Sequence, residues 1–220
     1  MTDAPENLLV VSFHTGGAYA PLADRLRASL SAVGVRYVVA YLPDRGNWQA
    51  NCLAKPGFLQ ALRARYPGRP LLWVDADAIV HADPRPHLAA LGECDAAVHR
   101  FRGREVLSGT VYLAATESAG WLLGRWWQCA AEHPDRWDQK ALAAAIDLDR
   151  YDRPSPTIAE LPAELCCIHD LQRKLTPGIR PVIEHFQQSR KTLAAEAASR
   201  HEARAMSHEG AEAWPVEAPA

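Results

Sequence analysis

Two aspartates, Asp75 and Asp77, sit within the apolar run LLWVDADAIV at residues 71–80. Strand side chains alternate faces, so acids two residues apart share a side. Two adjacent carboxylates at the end of a buried strand repel each other and are costly to desolvate. A divalent cation removes both penalties, and hard oxygen donors suit Mg²⁺ or Mn²⁺. The same pair could also cap a turn at a solvated strand end. What decides between the two is whatever else the chain delivers to that place.

Several other stretches carry residue types that could complete such a site. The loop His14-Thr15-Gly16-Gly17-Ala18-Tyr19 follows the apolar run LLVVSF at residues 8–13. Glycine there lets backbone approach a ligand closely. The loop lacks both a full G-x-G-x-x-G and a P-loop lysine, which argues against dinucleotide and NTPase readings. Ser108-Gly109 interrupts another apolar stretch, and glycine within a strand often marks close approach of a ligand or of other backbone. Lys55 stands immediately before Pro56, a favoured first helical residue. His185 ends the run PVIEH. Asp138-Gln139 opens a helical stretch, where Asp138 would serve as an N-cap and Gln139 would not. Arg100, Arg102 and Arg104 alternate, suiting either a solvated edge or contact with a phosphate or acceptor.

The elements that must position these residues alternate between strand and helix. Helical spacing of Leu22, Leu26 and Leu30 predicts a helix over residues 21–33, closed by Gly34. A strand is expected at 35–42, a polar loop at 43–51 and an amphipathic helix at 56–66. The Asp-Ala-Asp run at 71–80 reads as one strand buried on both faces. A short helical piece is expected at 87–91, with strands at 96–100 and 106–113. A helix at 118–132 has Trp121, Trp126 and Trp127 as core candidates, and another runs over 138–146. Residues 147–175 read as irregular, with short strands or turns at Leu161-Pro162 and at 166–168, and a last strand at 181–185. This pattern predicts an α/β fold with a Rossmann-like, mostly parallel central sheet flanked by helices. The expected domain covers residues 1–191, with a helical to disordered tail at 192–220. In such sheets ligands sit beyond the C-terminal ends of strands. The glycine loop, Asp75/Asp77, the Ser108-Gly109 break and His185 all fall at predicted strand ends.

Composition narrows the classes. The 220 residues are 48% hydrophobic and 23% charged, with a net charge of −2, typical of a soluble globular chain. No global field recruits nucleic acid or an anionic membrane. The five cysteines include no C-x-x-C and suit reduced, mostly buried thiols. No run approaches the length of a membrane span, so a cytoplasmic protein is expected.

Six stretches in order (VVSFHTGGAY, NWQANCLAKPGFLQAL, LLWVDADAIV, VLSGTVYLAAT, WDQKAL and IEHFQQSRK) resemble the GT-A glycosyltransferases of the nucleotide-diphospho-sugar transferase superfamily. The style is that of small bacterial or phage members related to the glycogenin-like family 8, and the resemblance covers residues 7 to 191. It implies transfer of a sugar from a nucleoside-diphosphate sugar, a UDP-sugar being the expected donor, to an unidentified acceptor such as a glycan, protein, lipid or small molecule. It also implies roles for residues. Asp75 and Asp77 would hold a Mn²⁺ or Mg²⁺ that bridges the donor diphosphate, with Asp75 also near the ribose and His185 completing the metal shell. Thr15, Gly16 and Tyr19 would lie along the base and ribose, and Lys55 would contact the donor. Ser108 and Gly109 would lie near the donor sugar or acceptor, and Asp138 and Gln139 would face the sugar. Arg190 and Lys191 would close over the diphosphate. The chain departs from the His-x-x-Gly-x-x-Lys pattern of glycogenin-like members, because FQQSRK follows His185.

Two other readings compete. A haloacid-dehalogenase-like phosphatase also opens on hhhDxDxh, with the first Asp as nucleophile, but on its first strand; here about 70 residues of α/β pattern precede Asp75. A non-catalytic nucleotide-sugar-binding module would keep the site without turnover.

Overall fold

The computed structural model describes residues 6–148 and 155–190. The described residues fall into two compact units that part between Phe186 and Gln187. All elements named below belong to the first. In the short described part of the second, the Arg190 amide donates to Gln187 O at 3.1 Å.

Strand β1 (Leu9–His14) leads through a 3-10 turn at Gly17–Tyr19 into α1 (Ala20–Ala32) and then β2 (Arg36–Tyr41). Helices α2 (Trp48–Cys52) and α3 (Lys55–Arg65) follow, then β3 (Leu71–Val74), β4 (Ala78–Val80) and α4 (Arg85–Ala89). Next come β5 (Ala96–Phe101), β6 (Glu105–Leu113), α5 (Glu117–Glu132) and α6 (Asp138–Leu148). The series closes with β7 (Ile158–Glu160), β8 (Cys167–Ile168), α7 (His169–Leu175) and β9 (Ile183–His185).

Six strands form the central sheet in the order β2-β1-β3-β6-β5-β7. The pairs β1–β2, β1–β3 and β5–β7 are parallel, whereas β6 runs against both β3 and β5. Five strands therefore share one direction, and the expected α/β class with flanking helices holds. The reversal of β6 follows from its tight hairpin with β5. Arg102 and Gly103 at its tip both take positive φ, 53° and 70°, and Arg104 N donates to Phe101 O at 3.2 Å, as in a type I′ turn. Arg100 is tied down near the tip, its guanidinium 3.0 Å from Glu160 Oε2 and its amide 2.6 Å from Oε1.

Apolar residues cover both faces of the sheet, as its near-continuous apolar strands predict. One face packs Leu9, Val11, Phe13, Trp73 and Val111 against Leu59, Leu122, Trp126 and Leu142 of α3, α5 and α6. The other packs Val10, Leu72 and Val74 against Leu26 and Leu30 of α1. Trp126 is fully buried, but Trp121 and Trp127 are about half exposed. The expectation that all three are core fails for those two: the apolar face of α5 is narrower than its tryptophan content, and only residues in register with Leu122 and Leu123 reach the sheet. Thr116 caps α5 by accepting from Ala119 N at 3.2 Å.

The largest departure from the sequence reading lies at 71–80. The single expected strand is two. β3 ends at Val74, a turn takes Asp75 to Asp77 with Ala78 N donating to Asp75 O at 3.1 Å, and β4 starts in a different sheet. That second sheet, β4-β9-β8, pairs Ala78–Val80 antiparallel with Ile183–His185. Apolarity on both sides of the aspartates disguised the break, because both halves are buried, each under different neighbours. The stretch read as irregular also holds β7 and α7, and the loop read at 43–51 contains the start of α2.

Candidate active site

The break between β3 and β4 sets the acids. Register places Val74 opposite Thr110 of β6, and the next amide, Asp75 N, donates to Gly109 O at 2.9 Å. Asp75 therefore stands just past the C-terminal end of β3, against the Ser108-Gly109 interruption. Asp77 follows on the far side of the turn and is buried. β9 then brings in His185, paired with Ala78 and itself buried. The two acids converge through a turn rather than through alternation along one strand.

Asp75, Asp77 and His185 each offer a ligand atom, and these atoms lie within 4.8 Å of one another. They are the one such group of His, Cys, Asp or Glu side chains among the described residues. Gly109 keeps the place open: a Cβ there would fall 3.2 Å from His185 Cε1, 3.3 Å from its Nδ1 and 3.5 Å from Asp75 Oδ2. His185 Nε2 lies 2.8 Å from Thr110 Oγ1, while Nδ1 is 4.0 Å from Asp77 Oδ1. Burial pushes the imidazole's pKa below its ordinary value, against the pull of Asp75 and Asp77. The ring is therefore held neutral, the form that ligates metals. Two carboxylates and a neutral imidazole are a donor set that fits a divalent cation of the Mn²⁺ type.

Lys55 is the residue the sequence undersold. It is the first residue of α3, with Pro56 behind it in a turn where a missing N–H costs nothing. Its ammonium is buried, lying 3.0 Å from Asp75 Oδ1, 3.0 Å from Ser108 O and 2.6 Å from Asp138 Oδ2. Burial alone would depress its pKa, but Asp138 and then Asp75 outweigh that and hold it above the ordinary lysine value. Asp138 is the first residue of α6 and is buried too. Trp126 Nε1 donates to its backbone carbonyl at 3.0 Å, anchoring that helix start to the core. The expected N-cap place falls one residue earlier, where Trp137 O accepts from Lys140 N and Ala141 N, and the Asp138 carboxylate serves the cluster. Asp75 and Asp138 flank the Lys55 ammonium, Asp77 and His185 adjoin them, and Arg25 donates from its guanidinium to Asp77 O at 3.4 Å.

The remaining candidates sit around this centre. Ser108 contributes its carbonyl to Lys55, and Gly109 its bare Cα to the opening. Thr15, Gly16 and Tyr19 follow the C-terminal end of β1, the neighbour of β3. Gly16 takes φ 83°, and a Cβ there would stand 3.4 Å from the exposed Tyr41 ring at the end of β2. Gln139 is bound to Glu105 at the start of β6, Nε2 to Oε1 at 2.8 Å. Arg190 lies in the second unit, and Lys191 and the expected tail at 192–220 lie outside the described residues.

Three residues escaped the sequence reading. Trp73 donates through Nε1 to Asp75 Oδ1 at 2.8 Å. Thr110 meets His185, as above. Glu184 is buried beside His185 yet accepts from His81 Nε2 at 2.9 Å, His169 Nδ1 at 2.8 Å and Arg173 Nε at 2.7 Å. A glutamate inside the apolar run PVIEH was the visible signal for the last.

No protein-family model matches the chain, and no curated protein matches it. Solved structures do. A glycosyltransferase involved in glycosylating the major capsid of PBCV-1 superposes with a TM-score of 0.61 at 14% identity, over 82% of this chain and 92% of that one. This is a glycosyltransferase fold. The glycosyltransferase GlyE of Streptococcus pneumoniae TIGR4 superposes with a TM-score of 0.52 at 13% identity, over 81% of this chain and 54% of GlyE. Its apo form gives 0.53 over the same 54% share. The chain thus spans about half of GlyE and most of the viral enzyme. Within this glycosyltransferase fold, the acid–histidine–lysine cluster occupies the strand-end position where open α/β sheets take their ligands.

Proposed function

We propose that the chain is a metal-dependent glycosyltransferase that moves a sugar from a nucleoside-diphosphate sugar to an acceptor hydroxyl. The observation that carries this reading is the convergence of Asp75, Asp77 and His185 beside the Lys55–Asp138 pair in a glycosyltransferase fold. Asp75, Asp77 and His185 would hold Mn²⁺ or Mg²⁺, whose contribution is to neutralise charge developing on the leaving diphosphate. No helix among the described residues is long and apolar enough to cross a membrane.

The chain's own groups supply the rest. The loop at Thr15, Gly16 and Tyr19 offers backbone and side chains for the nucleoside, with a UDP-sugar as the first donor to try. Lys55 keeps a fixed positive charge where the donor's sugar and diphosphate meet, held by Asp75 and Asp138 at no cost of reorganisation. Asp138, whose Oδ2 lies 2.6 Å from Lys55 Nζ, holds that ammonium in place and is the candidate for orienting a sugar or acceptor hydroxyl. Gln139 and Glu105 form the rim of that side.

The phosphatase reading loses support, because the aspartates follow β3 and not the first strand: β1, α1, β2, α2 and α3 precede them. A panel of UDP- and GDP-sugars, assayed with and without Mn²⁺, tests the proposal. Metal-dependent release of nucleoside diphosphate is the expected result. Hydrolysis of simple phosphomonoesters would overturn it, and donor binding with no turnover across an acceptor panel would leave a binding module.

A further inference from the structure

The strand that delivers Asp75 delivers Trp73 two residues earlier. Trp73 is almost wholly buried, 2% exposed, with Phe13 and Phe58 ring centroids at 5.3 and 6.2 Å. An indole has a single polar group, an N–H that only donates, and burial without an acceptor would waste it. Its acceptor is Asp75 Oδ1, 2.8 Å away. The same oxygen takes Lys55 Nζ at 3.0 Å, and that ammonium lies 4.8 Å from the Trp73 ring centroid. Two donors therefore fill Oδ1. The other oxygen, Oδ2, faces the Gly109 opening, where a Cβ would be 3.5 Å from it and 3.3 Å from His185 Nδ1.

We propose that Trp73 is a positioning residue: its indole N–H, with Lys55, fixes the Asp75 carboxylate so that Oδ1 is committed to the protein and Oδ2 is turned toward His185 and Asp77 as a metal ligand. A carboxylate free to rotate would offer either oxygen and would lose orientation each time the cation left. Lys55 alone cannot fix the plane, because an ammonium on a flexible stem is a point charge, whereas the indole N–H comes from a rigid ring locked in the core. This inference rests on the reading that the triad holds a divalent cation.

Mn²⁺ titration without any nucleotide sugar, followed by electron paramagnetic resonance of the free ion, tests it. Outer hydrogen bonds to metal ligands are typically worth ten- to a hundredfold in affinity, so Trp73→Phe is expected to weaken Mn²⁺ binding by roughly that factor. Phe13→Leu loosens the same aromatic cluster but leaves the N–H, and is expected to keep affinity within about twofold of wild type. Equal weakening in the two variants, or unchanged binding in Trp73→Phe, would overturn the proposal. A wild-type protein that binds no Mn²⁺ would remove the metal reading and this inference together. A measurement on the unaltered protein guards against misfolding of Trp73→Phe. The Trp73 indole proton should exchange with solvent far more slowly than those of half-exposed Trp121 and Trp127, and should stay protected on adding Mg²⁺. Loss of that protection when Mg²⁺ binds would mean that the cation takes Oδ1, which sinks the proposal.

Discussion

Glu184 and His185 are neighbours on β9, point to opposite sides and live in opposite kinds of polar environment. Glu184 is a buried carboxylate with three donors, from His81, His169 and Arg173, and its oxygens are saturated. Those bonds outweigh burial and hold its pKa down to about 2. Across the strand, Asp75 and Asp138 flank the Lys55 ammonium, and Asp75, Asp77 and His185 bring ligand atoms within 4.8 Å of one another beside the Gly109 opening. A saturated buried acid stabilises a fold and is finished; donor atoms converging on an opening can still take a ligand. The contrast separates structure from function more sharply than burial does, since Glu184, Asp77 and Asp138 are all buried.

The contrast can be broken by substitution. Asp77→Ala is expected to reduce Mn²⁺-dependent donor binding by about a hundredfold or more. Calorimetry of donor plus Mn²⁺ checks it; unchanged binding would take Asp77 out of the metal site. Glu184→Gln is expected to cost about 1–3 kcal/mol, the usual range for losing charge-assisted bonds at a buried site, in a denaturant titration. Metal affinity should change far less than in Asp77→Ala.

Gly109→Ala sharpens the functional side. The added methyl would press on the His185 ring and Asp75 Oδ2 at 3.2–3.5 Å without entering the apolar core. Roughly tenfold weaker Mn²⁺ binding is expected, with stability nearly unchanged; wild-type affinity would show that the opening is not where the ion sits.

The smallest effect is on pH dependence. Glu184 is depressed from 4.5 to about 2, so its contribution is fully present above about 4.5 and is lost as pH falls through 2. Wild type should lose stability over that window more steeply than Glu184→Gln. Parallel acid limbs in the two proteins would mean that Glu184 is not depressed.

Much of this was legible in the sequence, and the failures have common physics. Alternating apolar runs and helical spacing gave the strands and helices, because local periodicity follows directly from which face is buried. Asp75, Asp77 and His185 were visible as polar residues at ends of apolar runs. The split of Leu71 to Val80 was not, since pairing of Ala78–Val80 with Ile183–His185 is non-local and no local pattern encodes it. Lys55 could be assigned only through the resemblance, because its partners, Asp75 and Asp138, come from two other segments. Trp73 looked like core, which it is; nothing in LLWV says where an indole N–H points.

The second sheet also has a bearing on how the protein acquires its site. The partners β4 and β9 are roughly 100 residues apart, so closing that loop carries a large entropic cost. A chain emerging from the ribosome can form β1, β2 and β3 and their helices well before β9 exists. His185 reaches Asp75 and Asp77 only when the last strand of the domain docks. Completion of the acid–histidine triad therefore waits on β9, and a chain interrupted before Ile183 would carry every strand of the central sheet without the completed triad.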